Sequence, residues 1–275
     1  MSICSICPRK CNLNEGQQGF CRGRACINGR IEPINYGRFT SLALDPVEKK
    51  PLHHFYPQNM ILSLGSFGCN LRCPFCQNYQ ISMAGINDVP QQQITPEELT
   101  ALALKLAREP AGNLGVAFTY NEPFISYEFV RDCSVLLHQV GLKTVLVSNG
   151  HINPEPLAEL LPMIDAMNID LKGFTQEYYD YVGGSLDCVK QTIATAYKKC
   201  HVEVTTLVVP TKNDREKEME EEAKWLASLS AEIPLHISRY FPRYKSDIPA
   251  TPLETIYRLR DTAQKYLKFV HSGNC

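Results

Sequence analysis

Gly68-Cys-Asn-Leu-Arg-Cys-Pro-Phe-Cys-Gln-Asn-Tyr-Gln-Ile-Ser82 follows closely on an apolar run of strand length, Met60 to Leu64. Cys69, Cys73 and Cys76 therefore fall in a loop at the C-terminal end of a predicted strand, where α/β barrels build their active sites. Thiolates separated by three and then two intervening residues can wrap one corner of a cubane and ligate three of its four irons. The last iron stays open to a non-protein ligand, an arrangement suited to chemistry rather than storage. A structural zinc site is instead closed by four protein ligands, and the nearest histidines, His53 and His54, lie upstream of the strand.

Beyond this loop, apolar runs alternate with helical periodicity, the pattern of βαβ units on a parallel sheet. Strands are predicted at 60–64, 115–119, 143–148, 166–171, 202–209 and 235–239. Thr95-Pro-Glu-Glu-Leu opens a helix with an N-cap, proline at the first helical position and acids in the first turn. Further helices are predicted near 124–140, 154–164, 186–199, 214–230 and 252–266. The acidic run Glu216 to Glu222 reads as a solvated helix face. The expected fold is α/β, a partial (β/α)6 TIM-like barrel over residues 59–275 behind a Cys-rich N-terminal metal-binding extension over residues 1–58.

The chain has 275 residues, 44% hydrophobic and 21% charged, enough for a buried core. Lys plus Arg total 28 against 29 Asp plus Glu, so no global basic field favours nucleic acid or anionic lipid. No apolar stretch approaches membrane-spanning length, and the first ten residues are too polar for a signal peptide. The expectation is a soluble, cytoplasmic protein, and there 12 cysteines point to metals or redox chemistry rather than structural disulfides. Cys4, Cys7, Cys11 and Cys21 supply four thiolates near the N-terminus, enough for zinc or for a second iron–sulfur cluster, with Cys26 as a substitute ligand. Cys133 reads as packing, and Cys188, Cys200 and Cys275 need no role.

With Phe75 before the third cysteine, the loop resembles the Cys-x3-Cys-x-aromatic-Cys signature of the radical S-adenosylmethionine (SAM) superfamily. The resemblance implies a [4Fe–4S] cluster on Cys69, Cys73 and Cys76, with SAM on the open iron and reductive cleavage to a 5′-deoxyadenosyl radical. Thr119-Tyr-Asn-Glu-Pro123 is similar to the superfamily's Gly-Gly-Glu-Pro and implies Asn121 and Glu122 beside the SAM amino group. Ser148-Asn149-Gly150 resembles the Thr-Asn-Gly turn that approaches ribose and carboxylate, and Asp170 and Lys172 resemble the fourth-strand end of pyruvate formate-lyase activating enzyme. His236 and Arg239 are expected at the catalytic end of the sixth strand, and Val208 with Val209 either against adenine or in the core. Over nearly its whole length the chain resembles radical SAM enzymes of the AmmeMemoRadiSam group.

That resemblance implies hydrogen abstraction from a protein or peptide, driven by a low-potential donor such as flavodoxin or ferredoxin. Gln77-Asn78-Tyr79 stands where relatives with glycyl targets carry His-Asn-Pro, so a different peptide or a small molecule stays open. A non-enzymatic iron–sulfur electron-transfer module is the alternative of another class, and it leaves Glu122, Ser148, Asn149 and Asp170 without a purpose. Lys50, His53 and His54 before the first strand, and His236, Arg239 and Tyr240 at the last, are expected to border an open side wide enough for a polypeptide loop.

Overall fold

Strands form where the apolar runs predict them, and two more join at the edges. The computed structural model describes residues 1–275 and gathers eight strands into one open sheet. In chain order they are β1 (Ser41–Pro46), β2 (Met60–Gly65), β3 (Gly115–Phe118), β4 (Lys143–Ser148), β5 (Ala166–Asp170), β6 (His201–Val208), β7 (Leu235–Arg239) and β8 (Val270–Gly273). Neighbours in space are neighbours in sequence, and every pairing is parallel except β1 with β2. The result is a partial barrel. β8 is too short to announce itself, and β1 lies before residue 58, so the sheet crosses the boundary expected there.

Helices cover the outer face because parallel strands need crossover connections. The helix Pro96–Ala107 starts with the expected device: Glu98 N–H donates to Thr95 Oγ1 at 3.2 Å, and Thr95 N–H donates to Glu98 Oε2 at 2.8 Å. Two helices lie outside the predicted set, the single turn Tyr79–Ser82 and the helix Gln176–Val182, which Gly183 ends at φ +75°. The acidic run also departs from expectation. On the helix Glu216–Leu229, Glu218 and Glu222 are one turn apart and face inward. Burial pushes the Glu222 carboxyl up to about 8, and it accepts the Thr206 hydroxyl at 2.5 Å.

The segment after β1 runs inside the barrel. Val47 and Leu52 are fully buried and, with Phe55, pack on Ile61, Ala117, Val145 and Ala166. The Asn168 amide donates to Pro51 O at 2.8 Å and anchors the segment from above. Residues 47–55 thus plug the barrel at its N-terminal end, beneath the loops that carry the cysteines.

The N-terminal extension contributes two small antiparallel pairs, Ser2–Ile3 with Asn12–Leu13 and Arg24–Ile27 with Arg30–Pro33. Its principal tether is the buried Arg24 guanidinium, held by both Glu128 oxygens at 2.7 and 2.6 Å and donating to Ile125 O at 3.1 Å. A bidentate pair of this kind leaves no charge uncompensated. No helix is long and apolar enough to cross a membrane.

The plug supplies a stability prediction. Leu52→Ala leaves a cavity under the sheet and is expected to destabilise the fold by about 2–5 kcal/mol, lowering the urea midpoint. A midpoint equal to wild type would show that residues 47–55 pack loosely in solution.

Candidate active site

The loop after β2 is shaped by what lies behind it. Gly68 sits at φ +87°, and a Cβ there would come 2.4 Å from the Cys21 carbonyl oxygen. Only glycine permits that approach. The next amide, Cys69 N–H, donates to the same carbonyl at 3.1 Å. Arg72 then ties the loop to itself through Cys69 O at 2.6 Å and Leu71 O at 2.8 Å, while Arg9 Nε reaches Asn70 O at 2.7 Å. The Phe20 ring lies between these guanidiniums, 3.4 Å from Arg9 and 4.0 Å from Arg72.

Cys69, Cys73 and Cys76 line one cavity of about 420 Å³ above the strand ends, together with Asn121, Glu122, Ser148, Asn149, Asp170 and Lys172. Burial, with Glu122 adding to it, drives the Cys69 thiol well above its ordinary range, and burial takes Cys73 to about 11 despite the Lys172 ammonium. Buried thiols so held give up their protons when a metal replaces them. No group of three histidine, cysteine or carboxylate side chains is already closed on one point, but the donors and the cavity fit an iron–sulfur cluster with an organic ligand beside it.

Glu122 crosses between strand ends. Its Oε1 accepts Phe124 N–H at 3.0 Å and the Ser148 hydroxyl at 2.8 Å, and Oε2 accepts Asn149 N–H at 2.8 Å. It caps the turn Pro123–Ser126 and faces the cavity as well, and burial raises it to about 7 against those three donors. Asn149 is the link to the cysteines, with its amide nitrogen 2.9 Å from Asn70 Oδ1 and 3.6 Å from Cys69 Sγ. Asn121 has its side chain committed, accepting Ser66 N–H at 2.9 Å and donating to Phe67 O and Gly68 O at 3.2 and 3.1 Å. It fixes the loop's entry.

Lys172 Nζ meets Asp170 Oδ2 at 2.8 Å. Burial works against this ammonium, yet Asp170 and Cys73 outweigh it and its pKa is raised. Phe75 is buried as a wedge among Tyr178, Tyr181 and Tyr240, at 6.4, 6.3 and 6.1 Å between ring centroids. The segment after β7 folds over the loop, with Lys245 N–H on Pro74 O at 2.9 Å and Tyr244 stacked on Tyr79 at 4.6 Å.

Other expected residues lie elsewhere. His236 is the second residue of β7, so it sits at the barrel's N-terminal end, bonded to Glu203 and outside the cavity; Ser238, two residues further on the same face, lines it instead. Val208 and Val209 are core, and Leu207 is the apolar side chain that faces the cavity from β6. Arg239 donates to Thr251 O at 2.7 Å and does not line the cavity. Lys50 does, but is buried with Nζ 2.9 Å from Asp45 Oδ2, which also accepts the Tyr120 hydroxyl at 2.8 Å. Asn70, Ser238 and Asn274 were not singled out, because isolated polar residues carry no spacing signal.

The N-terminal cysteines converge as well. Cys4, Cys7, Cys11 and Cys21 line a second, enclosed cavity with Arg9 and Arg24, directly behind the Cys69 loop. Burial pushes Cys7 up to about 11 and raises Cys21.

A family model described as the Radical SAM superfamily matches residues 64–226, from the end of β2 past the cysteine loop and β6. An uncharacterized protein of Methanocaldococcus jannaschii is 42% identical over 275 residues, covering 98% of this chain and 80% of its own. Among solved structures, Streptococcus suis SuiB superposes with a TM-score of 0.61 at 13% identity over 77% of this chain; the chain spans about half of SuiB, 48%. A radical SAM methyltransferase from Sphaerobacter thermophilus gives 0.59 at 16% identity over 79% of this chain and 67% of its own. A domain of pyruvate-formate lyase-activating enzyme from Bacteroides vulgatus gives 0.51 at 20% identity over 58% of this chain and 99% of that domain. At these identities the likeness is one of fold.

Gly68→Ala tests the close approach. Because the new Cβ meets backbone rather than a movable side chain, the substitution should displace the loop from the N-terminal segment and cut iron bound after anaerobic reconstitution by more than half. Wild-type iron content in a folded Gly68→Ala protein would place the contact outside cluster assembly.

Proposed function

The chain belongs to the radical SAM superfamily, and from that premise we propose that it holds a [4Fe–4S] cluster on Cys69, Cys73 and Cys76, binds SAM beside it, and acts on a protein or peptide. The observation that carries this reading is the single cavity in which the three thiols meet Glu122, Asn149, Asp170 and Lys172. When bound, the reduced cluster supplies the electron that splits SAM into methionine and a 5′-deoxyadenosyl radical able to abstract hydrogen.

This chain's residues bind and orient. The Lys172 ammonium stands beside Cys73 and favours its thiolate, and Asp170 keeps that ammonium in place. Asn149 reaches both Cys69 Sγ and Asn70, so the first thiolate and the turn after β4 move as one. Glu122 presents a carboxylate to a cationic amino group, and Phe75 with its three tyrosines keeps water from one side of the loop. Cys4, Cys7, Cys11 and Cys21, which line one enclosed cavity, would hold a second metal centre, zinc or iron–sulfur. Electrons would come from a low-potential flavodoxin or ferredoxin.

The reading of a polypeptide substrate rests on the open edges. Lys49 and Lys50 after β1 and Asn274 after β8 line the same cavity, so it extends to both sides of the unclosed barrel. SuiB, which shares the fold, is described in one structure as bound to its precursor peptide SuiA.

Anaerobic protein supplied with dithionite and SAM should release 5′-deoxyadenosine, and alanine at Cys69, Cys73 or Cys76 should reduce the rate to background. A cluster whose spectrum ignores saturating SAM would overturn the reading.

Glu122 sets a pH dependence. Its folded pKa is raised to about 7, so the carboxylate that faces a cation is lost as pH falls below that value. SAM affinity is expected to weaken by up to about tenfold per unit below pH 7. Glu122→Gln should weaken binding and flatten the profile; an unchanged slope in equilibrium binding would assign the titration to another group.

A further inference from the structure

Five of the seven histidines, His53, His54, His201, His236 and His271, gather at the N-terminal end of the barrel, far from the cysteine loops. They come from the plug and from β6, β7 and β8. At their centre is Glu203, fully buried on the inward face of β6. Its carboxylate accepts four hydrogen bonds: His53 N–H at 3.0 Å, His54 N–H at 2.7 Å, His201 Nε2 at 2.9 Å and His236 Nε2 at 2.6 Å. Those donors hold Glu203 ionised, far below the ordinary carboxylate range, against its burial. With Nε2 turned to Glu203, His236 has Nδ1 as its other ring nitrogen.

The remaining rings stand around that histidine. His53 lies 4.7 Å from His236 and 4.8 Å from His271 between ring centroids, His236 lies 5.1 Å from His271, and His54 lies 5.1 Å from His271. His54 Nε2 and His271 Nε2 are 2.8 Å apart, and two nitrogens at that distance share one proton. Packing alone does not call for this composition: the adjacent plug residues, Leu52 and Phe55, fill their places with hydrocarbon. A carboxylate-oriented imidazole gathered with further imidazoles is the donor set of a borderline divalent ion.

The geometry points to a divalent transition-metal site of the zinc class formed by His53, His54, His236 and His271, with Glu203 orienting His236, which staples the barrel plug to the last two strands. The donors are not yet closed on one point, as the cysteines of the active site are not, so binding requires the rings to turn inward. His54 is exposed and His271 half-buried, which gives an ion a path from solvent. The ion would join the segment after β1 to β7 and β8, fastening the first and last parts of an open sheet where no strand pairing does so. The site stands apart from the cysteine cavity and does not depend on the radical reading.

The test uses the anaerobically reconstituted holoenzyme, freed of loose metal and then titrated with Zn2+ alone. Zinc-edge absorption spectroscopy should show about one added zinc per chain with a shell of nitrogen and oxygen and no sulfur, which separates it from zinc on cysteine. Saturating zinc should raise the thermal midpoint. His54→Ala, an exposed position that should fold, and His271→Ala should each lower zinc affinity by at least about tenfold, while His138→Ala should not. No nitrogen-coordinated zinc in the wild type, or binding unaffected by both variants, overturns the proposal.

Discussion

The hydrogen bond from the Cys69 amide to the Cys21 carbonyl decides where the reactive parts of this molecule sit. It is possible only because Gly68 lacks a Cβ, and it brings the N-terminal extension to within one peptide of the first cluster cysteine. Arg9 and Arg72, stacked on the two faces of Phe20, hold the same junction by satisfying the carbonyls of Cys69, Asn70 and Leu71. The loop is therefore shaped by backbone contacts, and burial leaves the Cys69 and Cys73 thiols with raised proton affinity until a metal replaces the proton.

An open sheet creates a second requirement, because a barrel that does not close exposes its interior at one end or the other. Here the N-terminal end is filled by residues 47–55, whose apolar side chains pack on the inward faces of β2 to β5 and whose backbone is held by Glu203 and Asn168. The polar residues that alternation points inward are thereby sorted by height. Glu203 and His236 lie low beside the plug, whereas Thr205, Leu207 and Ser238, further along the same faces, line the upper cavity.

That sorting explains what the sequence could and could not convey. The six central strands were legible as continuous apolar runs, since both faces of a parallel sheet are buried. β1 was hidden in a cysteine-rich, turn-rich segment, and β8 in four residues with only one strong strand former. The cysteine triad was legible because a single loop holds all its ligands. His236 was placed on the right strand but at the wrong end, because periodicity gives a side chain's face and not its height in the barrel. The commitment of Asn121 to the loop entry, and the inward turn of Glu218 and Glu222, depend on contacts distant in sequence. The histidine cluster is the extreme case: its donors come from positions 53–54, 236 and 271 and acquire a common neighbourhood only through the fold.

With the lower end plugged and the segment 240–246 laid across the cysteine loop through Lys245 and Tyr244, the cavity is approached from above and from the unpaired edges. At those edges Asp45 draws Lys50 and the Tyr120 hydroxyl together, with the ammonium 4.8 Å from the ring centroid. This arrangement binds the segment after β1 to the turn that carries Glu122. A closed barrel would separate the two by a ring of paired strands. The open one joins them through the Asp45 carboxylate, which Lys50 and Tyr120 share.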